Sequence, residues 1–131
     1  MFSGIYHIGY QTDDIDAAIS FYETVFGGKL KQQILGPDGT TKMAFVKIGE
    51  SEIELIEPSD KSRLGGKTGL ILDHVGYAVK DIDAAIAILK SKGIAFQNPS
   101  AHVNAEGWRL LYLDMNTTNG AKVHITQPPI E

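Results

Sequence analysis

The sequence predicts an α+β fold in which two βαβββ modules pair to form a curved, cup-shaped mixed sheet with helices outside. Three observations support this prediction. The segment HIGYQTDDIDAAI, which starts at His7, recurs as HVGYAVKDIDAAI from His74 with nine of thirteen positions identical. In each copy a period-2 strand pattern changes to a helical pattern at an aspartate. Three short strand candidates then follow each helix. Such a repeat indicates internal duplication.

The first module is predicted over residues 4–58 and opens with a strand. In YHIGYQT, Ile8 and Tyr10 alternate with His7, so one face is apolar and the other carries the histidine. The later strands are predicted as KLKQQIL, KMAFVKI and EIELIE, separated by the turn-forming segments GPDGT and GES. Because the apolar face must meet the helix, His7 is expected on the open face of the sheet.

The first helix is predicted to begin after Asp13 or Asp14, whose side chain supplies the N-cap oxygen. Gly27-Gly28 is expected to end it, as glycine commonly does. Spacing at three and four residues puts five apolar side chains on one side of this helix. They are Ile15, Ala18, Ile19, Tyr22 and Phe26.

The second module is predicted over residues 71–128. In DHVGYAV, Val75 alternates with His74, then Asp81 caps a helix that Gly93 ends. Its strand candidates are AFQNPSAHV, RLLYLD and KVHITQ, and the apolar side of its helix is predicted as Ile82, Ala85, Ile86 and Leu89. The intervening residues 59–70 are rich in Gly, Ser and charge and are predicted to be a linker.

Composition narrows the possible partners. The 131 residues suit a single domain spanning 1–131, and the net charge of −4 argues against a nucleic-acid partner. The absence of cysteine removes disulfides and thiolate chemistry. No run approaches the roughly 20 apolar residues of a membrane span, and MFSGIYHIGY lacks a signal-peptide pattern. We therefore expect a cytoplasmic protein without a membrane partner.

Exposed sheet edges favour a homodimer.

The last strands of the two modules extend the repeat. IELIEP from Ile53 aligns with VHITQP from Val123, which matches Glu54 with His124 on the open face. Three histidines and one carboxylate suit a single divalent transition metal, with two coordination positions left open. A structural hydrogen bond is the common role of a lone strand histidine, and Glu54 alone would suit a solvated strand. The repeat-related positions of His7, His74 and His124 favour the metal site.

The fourth histidine, His102, lies in the segment SAHVNAEGW. We expect it in a surface loop, with a contact to substrate at the rim of the cup as the alternative. No site for an organic cofactor is predicted.

At this point the motifs resemble a known family, the vicinal oxygen chelate superfamily (glyoxalase, bleomycin resistance and dioxygenase proteins). The resemblance covers essentially the whole chain and lies in HIGYQTDDIDAAISFYETVFG, KMAFVKIGESEIELIEP, DHVGYAVKDIDAAIAILKSKGI and RLLYLDMNTTNGAKVHITQ. Within the superfamily, KIGESEIELIEP and the loop DMNTTNGAK are most similar to methylmalonyl-CoA epimerases, and lactoylglutathione lyases (glyoxalase I) come next.

The resemblance implies a metal-dependent isomerase or lyase. Its metal ligands correspond to His7, Glu54, His74 and His124, and Glu54 and His124 correspond to the acid/base pair. The reaction it implies is removal of a proton next to a metal-chelated carbonyl of an acyl-CoA, another thioester or a hemithioacetal. The ion would be Zn, Ni, Co, Fe or Mn. Two departures stand out. Most members carry Glu at the position of His124, and NAEGWRLLYL places the bulky Trp108 before a strand.

Two readings besides the epimerase follow from the same resemblance. A glyoxalase I would act on a hemithioacetal. A protein of another class would be an Fe(II) dioxygenase, with His7, His74 and Glu54 as its triad, or a small-molecule binding or resistance protein. Binding proteins of this fold tend to lack metal ligands, so the four candidates argue against that last option. His124 has an ordinary pKa near 6.5 as a free side chain, which would let it act as a base at neutral pH.

Overall fold

The computed structural model describes residues 1–104 and 107–129, so the predicted loop SAHVNAEGW lies partly outside the described residues. The chain forms two compact units. The first unit is His7–Asp73, and the second unit is Met1–Tyr6 together with His74–Glu131. Each unit contains one helix and one run of four strands, which confirms the α+β class and the βαβββ order.

The first unit contains a four-stranded mixed sheet in the order β2-β3-β4-β1. β1 and β4 are parallel, and the other neighbours are antiparallel. The long connection through α1 permits the parallel pair, which a tight hairpin cannot. The three later strands are confirmed to within a residue. The elements are β1 (Phe2–Thr12), α1 (Ile15–Phe26), β2 (Lys29–Leu35), β3 (Lys42–Ile48) and β4 (Ser51–Glu57).

The second unit repeats this order as β5-β8-β7-β6, again with one parallel pair, β5 with β8. The prediction of a strand over AFQNPSAHV was mostly wrong. Only His102–Val103 is a strand, and Phe96 makes an isolated bridge to Leu113. Pro99 lacks a donor for the ladder, which disfavours a continuous strand. The elements are β5 (Leu70–Val79), α2 (Ile82–Ser91), β6 (His102–Val103), β7 (Arg109–Tyr112) and β8 (Val123–Gln127).

Both helices begin in the same way. Asp14 and Asp81 are the N-caps, and each carboxylate accepts a hydrogen bond from the backbone N–H three residues later, at 3.1 Å. A second polar side chain from the last strand of the module also accepts from the first helical N–H. Glu57 accepts from Ile15 at 2.8 Å, and Gln127 accepts from Ile82 at 2.7 Å. The caps thereby join each helix to its sheet.

The core of each unit lies between its helix and one face of its sheet. In the first unit Ile15, Ala18, Ile19 and Tyr22 are buried with Ala44, Val46 and Leu55. Phe26 was predicted on this side, but it is exposed because α1 ends there and Gly27 turns the chain with φ of 67°. In the second unit Ile82 and Ala85 are buried, and Ile86 and Leu89 pack against the same cluster.

Residues 59–70 are more ordered than the predicted linker. They contain the 3₁₀ helix Lys61–Leu64, and the side chain of Leu64 is buried. β5 begins at Leu70, earlier than predicted. Within the described residues, neither α1 nor α2 combines the length and apolar character needed to cross a membrane.

Candidate functional site

The first unit contributes His7 and Glu54. The parallel pairing of β1 with β4 makes Gly9 the Cα partner of Glu54, so that His7 and Glu54 belong to neighbouring strands on the face opposite α1. Both side chains are buried, at 6% and 8% exposure. Nε2 of His7 lies 4.0 Å from Oε2 of Glu54. This unit therefore brings two of the predicted metal ligands together.

The second unit contributes His74 on β5 and His124 on β8. Both are buried, at 3% and 2% exposure. Their ring centroids are 5.3 Å apart, and a ring nitrogen of one lies within 4.8 Å of a ring nitrogen of the other. Tyr112 packs edge-on against both rings, with centroids 5.9 Å from His74 and 5.0 Å from His124. The second pair of predicted ligands is thus also brought together within one unit.

The two pairs occupy equivalent positions of the duplicated ladder. Gly9 faces Glu54 across β1 and β4, and Gly76 faces His124 across β5 and β8. The sequence alignment of Glu54 with His124 is therefore confirmed by strand register. Gly76 has a further steric role, because a Cβ on it would lie only 2.7 Å from Nε2 of the His124 ring.

His124 is held by Thr126, two residues further along β8. Its Nδ1 lies 2.6 Å from the hydroxyl oxygen of Thr126, and both side chains are buried. In the tautomer with the proton on Nδ1, that nitrogen donates to Thr126 and Nε2 keeps its lone pair. A hydrogen bond on one ring nitrogen is the usual way to orient a histidine whose other nitrogen binds a metal.

Burial lowers the pKa of His124 to about 3, and the neighbouring imidazoles of His74 and His102 act in the same direction. The prediction from sequence assumed an ordinary pKa near 6.5. Desolvation disfavours the imidazolium form, so the ring is neutral at pH 7 and ready to act as a ligand. The pKa assumed from the sequence was therefore too high, whereas the role of His124 as a base stays a prediction.

The donor set fits a divalent transition metal. Neutral imidazoles and a carboxylate are ligands that such ions prefer, and the buried positions limit competition from water. Within each unit the two donors belong to paired strands rather than to mobile loops. This placement favours fixed ligand geometry.

Sequence reasoning missed Glu52 and Tyr112. Glu52 is only 6% exposed, and its Oε1 accepts from Nζ of Lys31 at 3.1 Å. Period-2 alternation from Glu54 was the signal that could have placed it on the same face. Tyr112 could have been found in the same way, because it is the Cα partner of His124.

Two other residues were singled out in the sequence, His102 and Trp108. His102 is exposed, as predicted, but it belongs to β6 rather than to a loop. Trp108 is half-buried, and its ring lies 4.2 Å from that of Tyr6 in the second unit.

Comparison with known proteins identifies the family. The profile of the Glyoxalase/Bleomycin resistance protein/Dioxygenase superfamily matches residues 6–112. The chain therefore belongs to this superfamily, as the sequence motifs predicted.

Among individual proteins, the chain is similar to mitochondrial methylmalonyl-CoA epimerase of Mus musculus, with 28% identity over 92% of this chain and 71% of the relative. It is also similar to the uncharacterized protein YwbC of Bacillus subtilis (strain 168), with 31% identity over 82% of this chain and 86% of that protein.

The fold is similar to the crystal structure of methylmalonyl-CoA epimerase from Mycobacterium tuberculosis. The TM-score is 0.86 at 22% identity, covering 98% of this chain and 90% of that one. The epimerases among these relatives are isomerases, and the prediction of an enzyme of the glyoxalase superfamily is confirmed. The relatives do not favour the lactoylglutathione lyase or dioxygenase alternatives.

Proposed function

We propose that the protein is a metal-dependent epimerase that acts on the α-carbon of a 2-substituted malonyl-type acyl-CoA. The observation that carries the proposal is the presence of two pairs of buried donors at equivalent positions of the two modules. The pairs are His7 with Glu54 and His74 with His124. The epimerases among the relatives supply the reaction type. We propose that the four residues together bind one divalent ion, Zn, Ni, Co, Fe or Mn.

The residues divide the work as follows. The bound ion would supply electrophilic polarisation of the thioester carbonyl, which acidifies the adjacent C–H. Glu54 carries the carboxylate that removes or returns the proton at that carbon. His124 is oriented by Thr126 and kept neutral by burial, and both features support a primary role as a metal ligand. Its predicted second role, proton transfer on the opposite side of the carbon, is the part that mutation must test.

Exchange with solvent tests the reaction. In D₂O, methylmalonyl-CoA and ethylmalonyl-CoA incubated with the metal-loaded protein should gain deuterium at the α-carbon, measured by mass spectrometry or NMR. Exchange should stop after chelation and return with added metal. Metal-loaded protein that exchanges none of these thioesters would contradict the epimerase assignment. Activity on the hemithioacetal of methylglyoxal, or oxygen consumption with Fe(II), would point to the other members of the superfamily.

The ligand set is tested separately by elemental analysis of purified variants. His7→Ala and His74→Ala should each lose stoichiometric metal, because each removes one donor from a buried pair. His102→Ala is the matched control, since it alters the exposed histidine. Full metal content in both ligand variants would contradict the proposed site.

His124 is tested by comparing exchange with binding. If His124 transfers a proton, His124→Ala should suppress exchange more than it weakens thioester binding. His124→Glu, which introduces the family's usual residue, should then restore part of the exchange. Equal loss of metal, binding and exchange in His124→Ala would assign it a ligand role alone.

The remaining expectations concern the assembly. We propose a cytoplasmic homodimer without nucleic-acid or membrane partners, on the grounds of the exposed sheet edges, the charge and the composition given above. The mouse relative is mitochondrial. Light scattering on purified protein would test the dimer, and a monomer at micromolar concentration would contradict it.

A further inference from the structure

The pairing of β2 with β3 is irregular at Lys31. The β2–β3 register pairs Leu30 with Val46 and Gln32 with Phe45, so Lys31 is an extra residue between two regular pairs. This is the arrangement of a β-bulge, which bends a strand and redirects the side chain at that point. The Lys31 side chain extends to β4, although β3 lies between β2 and β4.

On β4, Lys31 meets a buried carboxylate. Its Nζ lies 3.1 Å from Oε1 of Glu52, which is 6% exposed. Glu52 is the Cα partner of His7 and lies two residues before Glu54, so all three belong to one face of the sheet. The ammonium group is therefore fixed on the face that carries the first pair of proposed ligands.

Both members of this ion pair have hydrogen-bonding groups that the contact between them does not use. The Lys31 side chain is 48% exposed, and of its three N–H donors one is used by Glu52 among the residues that the structure describes. Oε2 of Glu52 is buried and accepts no hydrogen bond from any described residue. A buried polar atom left in this state calls for an explanation beyond local packing.

A second ion pair that involves β4, Lys61 with Glu57, serves as a structural comparison. Lys61 is 49% exposed and contacts Glu57 at 2.9 Å, so it matches Lys31 in exposure and partner. Glu57, however, caps α1 through Ile15 and also faces Lys42. The Lys61–Glu57 pair thus has a structural role at the helix end, whereas Glu52 caps no helix among the residues that the structure describes.

We propose that Lys31, held in place by Glu52, binds an anionic oxygen group of the substrate. The group is either the free carboxylate of the acyl unit or a phosphate of the coenzyme, since an ammonium ion recognises both. Lys31 is then a binding and specificity residue, and Glu52 is its positioning residue. This inference rests on the proposed function for the identity of the substrate.

The test compares Lys31→Gln with Lys61→Gln, which removes the matched structural pair. Lys31→Gln should raise KM for methylmalonyl-CoA on the order of tenfold and leave kcat within about twofold, because it removes binding that is uniform along the reaction. Lys61→Gln should leave both constants unchanged. Lys31→Arg should restore most of the affinity. Calorimetry should show the same tenfold loss in equilibrium binding, independently of turnover.

The source of the anionic group is distinguished by a truncated substrate. The methylmalonyl thioester of N-acetylcysteamine keeps the acyl carboxylate and lacks the coenzyme phosphates. A KM increase in Lys31→Gln with both thioesters assigns the carboxylate, and an increase with the CoA thioester alone assigns a phosphate. Glu52→Gln should give a smaller increase with the same substrate dependence, since it loosens the lysine without removing it.

Four outcomes are decisive. Equal binding of methylmalonyl-CoA by the unaltered protein and by Lys31→Gln overturns the inference, as does an equal loss in Lys31→Gln and Lys61→Gln. Unaltered protein that binds methylmalonyl-CoA in a Lys31-dependent way without exchanging its α-proton supports the inference and contradicts the proposed reaction. Unaltered protein that does not bind the thioester contradicts both.

Discussion

The two modules share their backbone arrangement but differ in the side chains that matter for chemistry. The Gly9–Glu54 and Gly76–His124 pairs occupy the same register position. Both helices have an aspartate N-cap and a second cap from the last strand. At the position of the proposed ligand, however, one module presents the carboxylate of Glu54 and the other the imidazole of His124. Duplication has preserved the register of the paired strands, and the side chains at this open-face position have diverged.

The middle strands diverge as well. β2 and β3 of the first module each have seven residues, whereas β6 has two and β7 has four. The longer pair accommodates the bulge at Lys31, and the second module has no strand of comparable length at that place. The first module carries the Lys31–Glu52 pair on its open face. The predictions below ask how far the equivalence of the modules extends.

The largest expected effect comes from truncating the side chain of the first residue of each helix to alanine. Ile15 and Ile82 are repeat equivalents with 1% and 0% exposure. Ile15→Ala and Ile82→Ala should each lower the free energy of unfolding by about 3 kcal/mol, because each leaves a cavity in a closed core. Denaturant titration followed by circular dichroism would measure this.

The same titrations test whether residues 1–131 are one domain. A module of about 60 residues buries too little surface to be robust alone, so both variants should show one cooperative transition at a lower midpoint. Ile88→Ala on the exposed part of α2 is a control with little expected change. Two separate transitions, each sensitive to only one substitution, would show that the modules unfold independently.

The next effect concerns the contact between Gly76 and the His124 ring in the second module. Gly76→Ala places a methyl group against the His124 ring, 2.7 Å from Nε2. Overpacking at such a site should lower stability by about 2 kcal/mol, measured by denaturant titration. In the His124→Ala background the ring is absent, so the added methyl group should then cost much less. A cost that persists in the double variant would mean that the strain lies in the backbone of β5 instead.

Much of this comparison could be predicted from the sequence, because it depends on local patterns. Alternation gave the strands, Asp14 and Asp81 were correct caps, and the repeat aligned Glu54 with His124. Local patterns could not show that Lys31 bulges out of β2, since a bulge depends on pairing with β3. They also could not show that Phe26 is exposed, because helical periodicity continues past the residue where the helix ends.

The chemistry of the site was less predictable than its residues. The pKa of His124 depends on burial and on two neighbouring imidazoles, which single-sequence patterns do not describe. The short β6 shows the same limit, since AFQNPSAHV has strand-like composition but a proline within it. The candidate ligands were therefore predicted from the duplication, whereas the protonation state of His124 required the fold.

A smaller effect should distinguish β8 of the second module from β4, its equivalent in the first module. Thr126 contacts the His124 ring, and its equivalent in the first module, Ile56, cannot form such a hydrogen bond. Thr126→Val should cost about 1 kcal/mol of stability and weaken metal binding roughly 10- to 100-fold. Competition with a metal-binding dye would measure the affinity. Ile56→Val is the control, and equal metal affinity in both variants would show that Thr126 does not orient the ligand.

The smallest effect tests whether the helix caps are interchangeable. Burial alone would raise the pKa of Glu57, but the Ile15 N–H and the Lys61 ammonium group outweigh it and hold the pKa below its ordinary value of 4.5. Glu57→Gln gives the first module the residue that Gln127 provides in the second. The amide oxygen can still cap α1, so only the ionic part of the Glu57 contribution to stability should be lost, about 0.5 kcal/mol at pH 7.

The pH dependence of stability provides the measurement. A carboxylate whose pKa is lowered by folding stabilises the protein above its unfolded pKa, and that stabilisation disappears as the pH falls through the folded pKa. The stability difference between Glu57→Gln and the unaltered protein, measured by denaturant titration, should therefore be constant above pH 6 and shrink below about pH 4.5. A difference that is independent of pH would show that Glu57 acts only as a neutral hydrogen-bond acceptor, as Gln127 does.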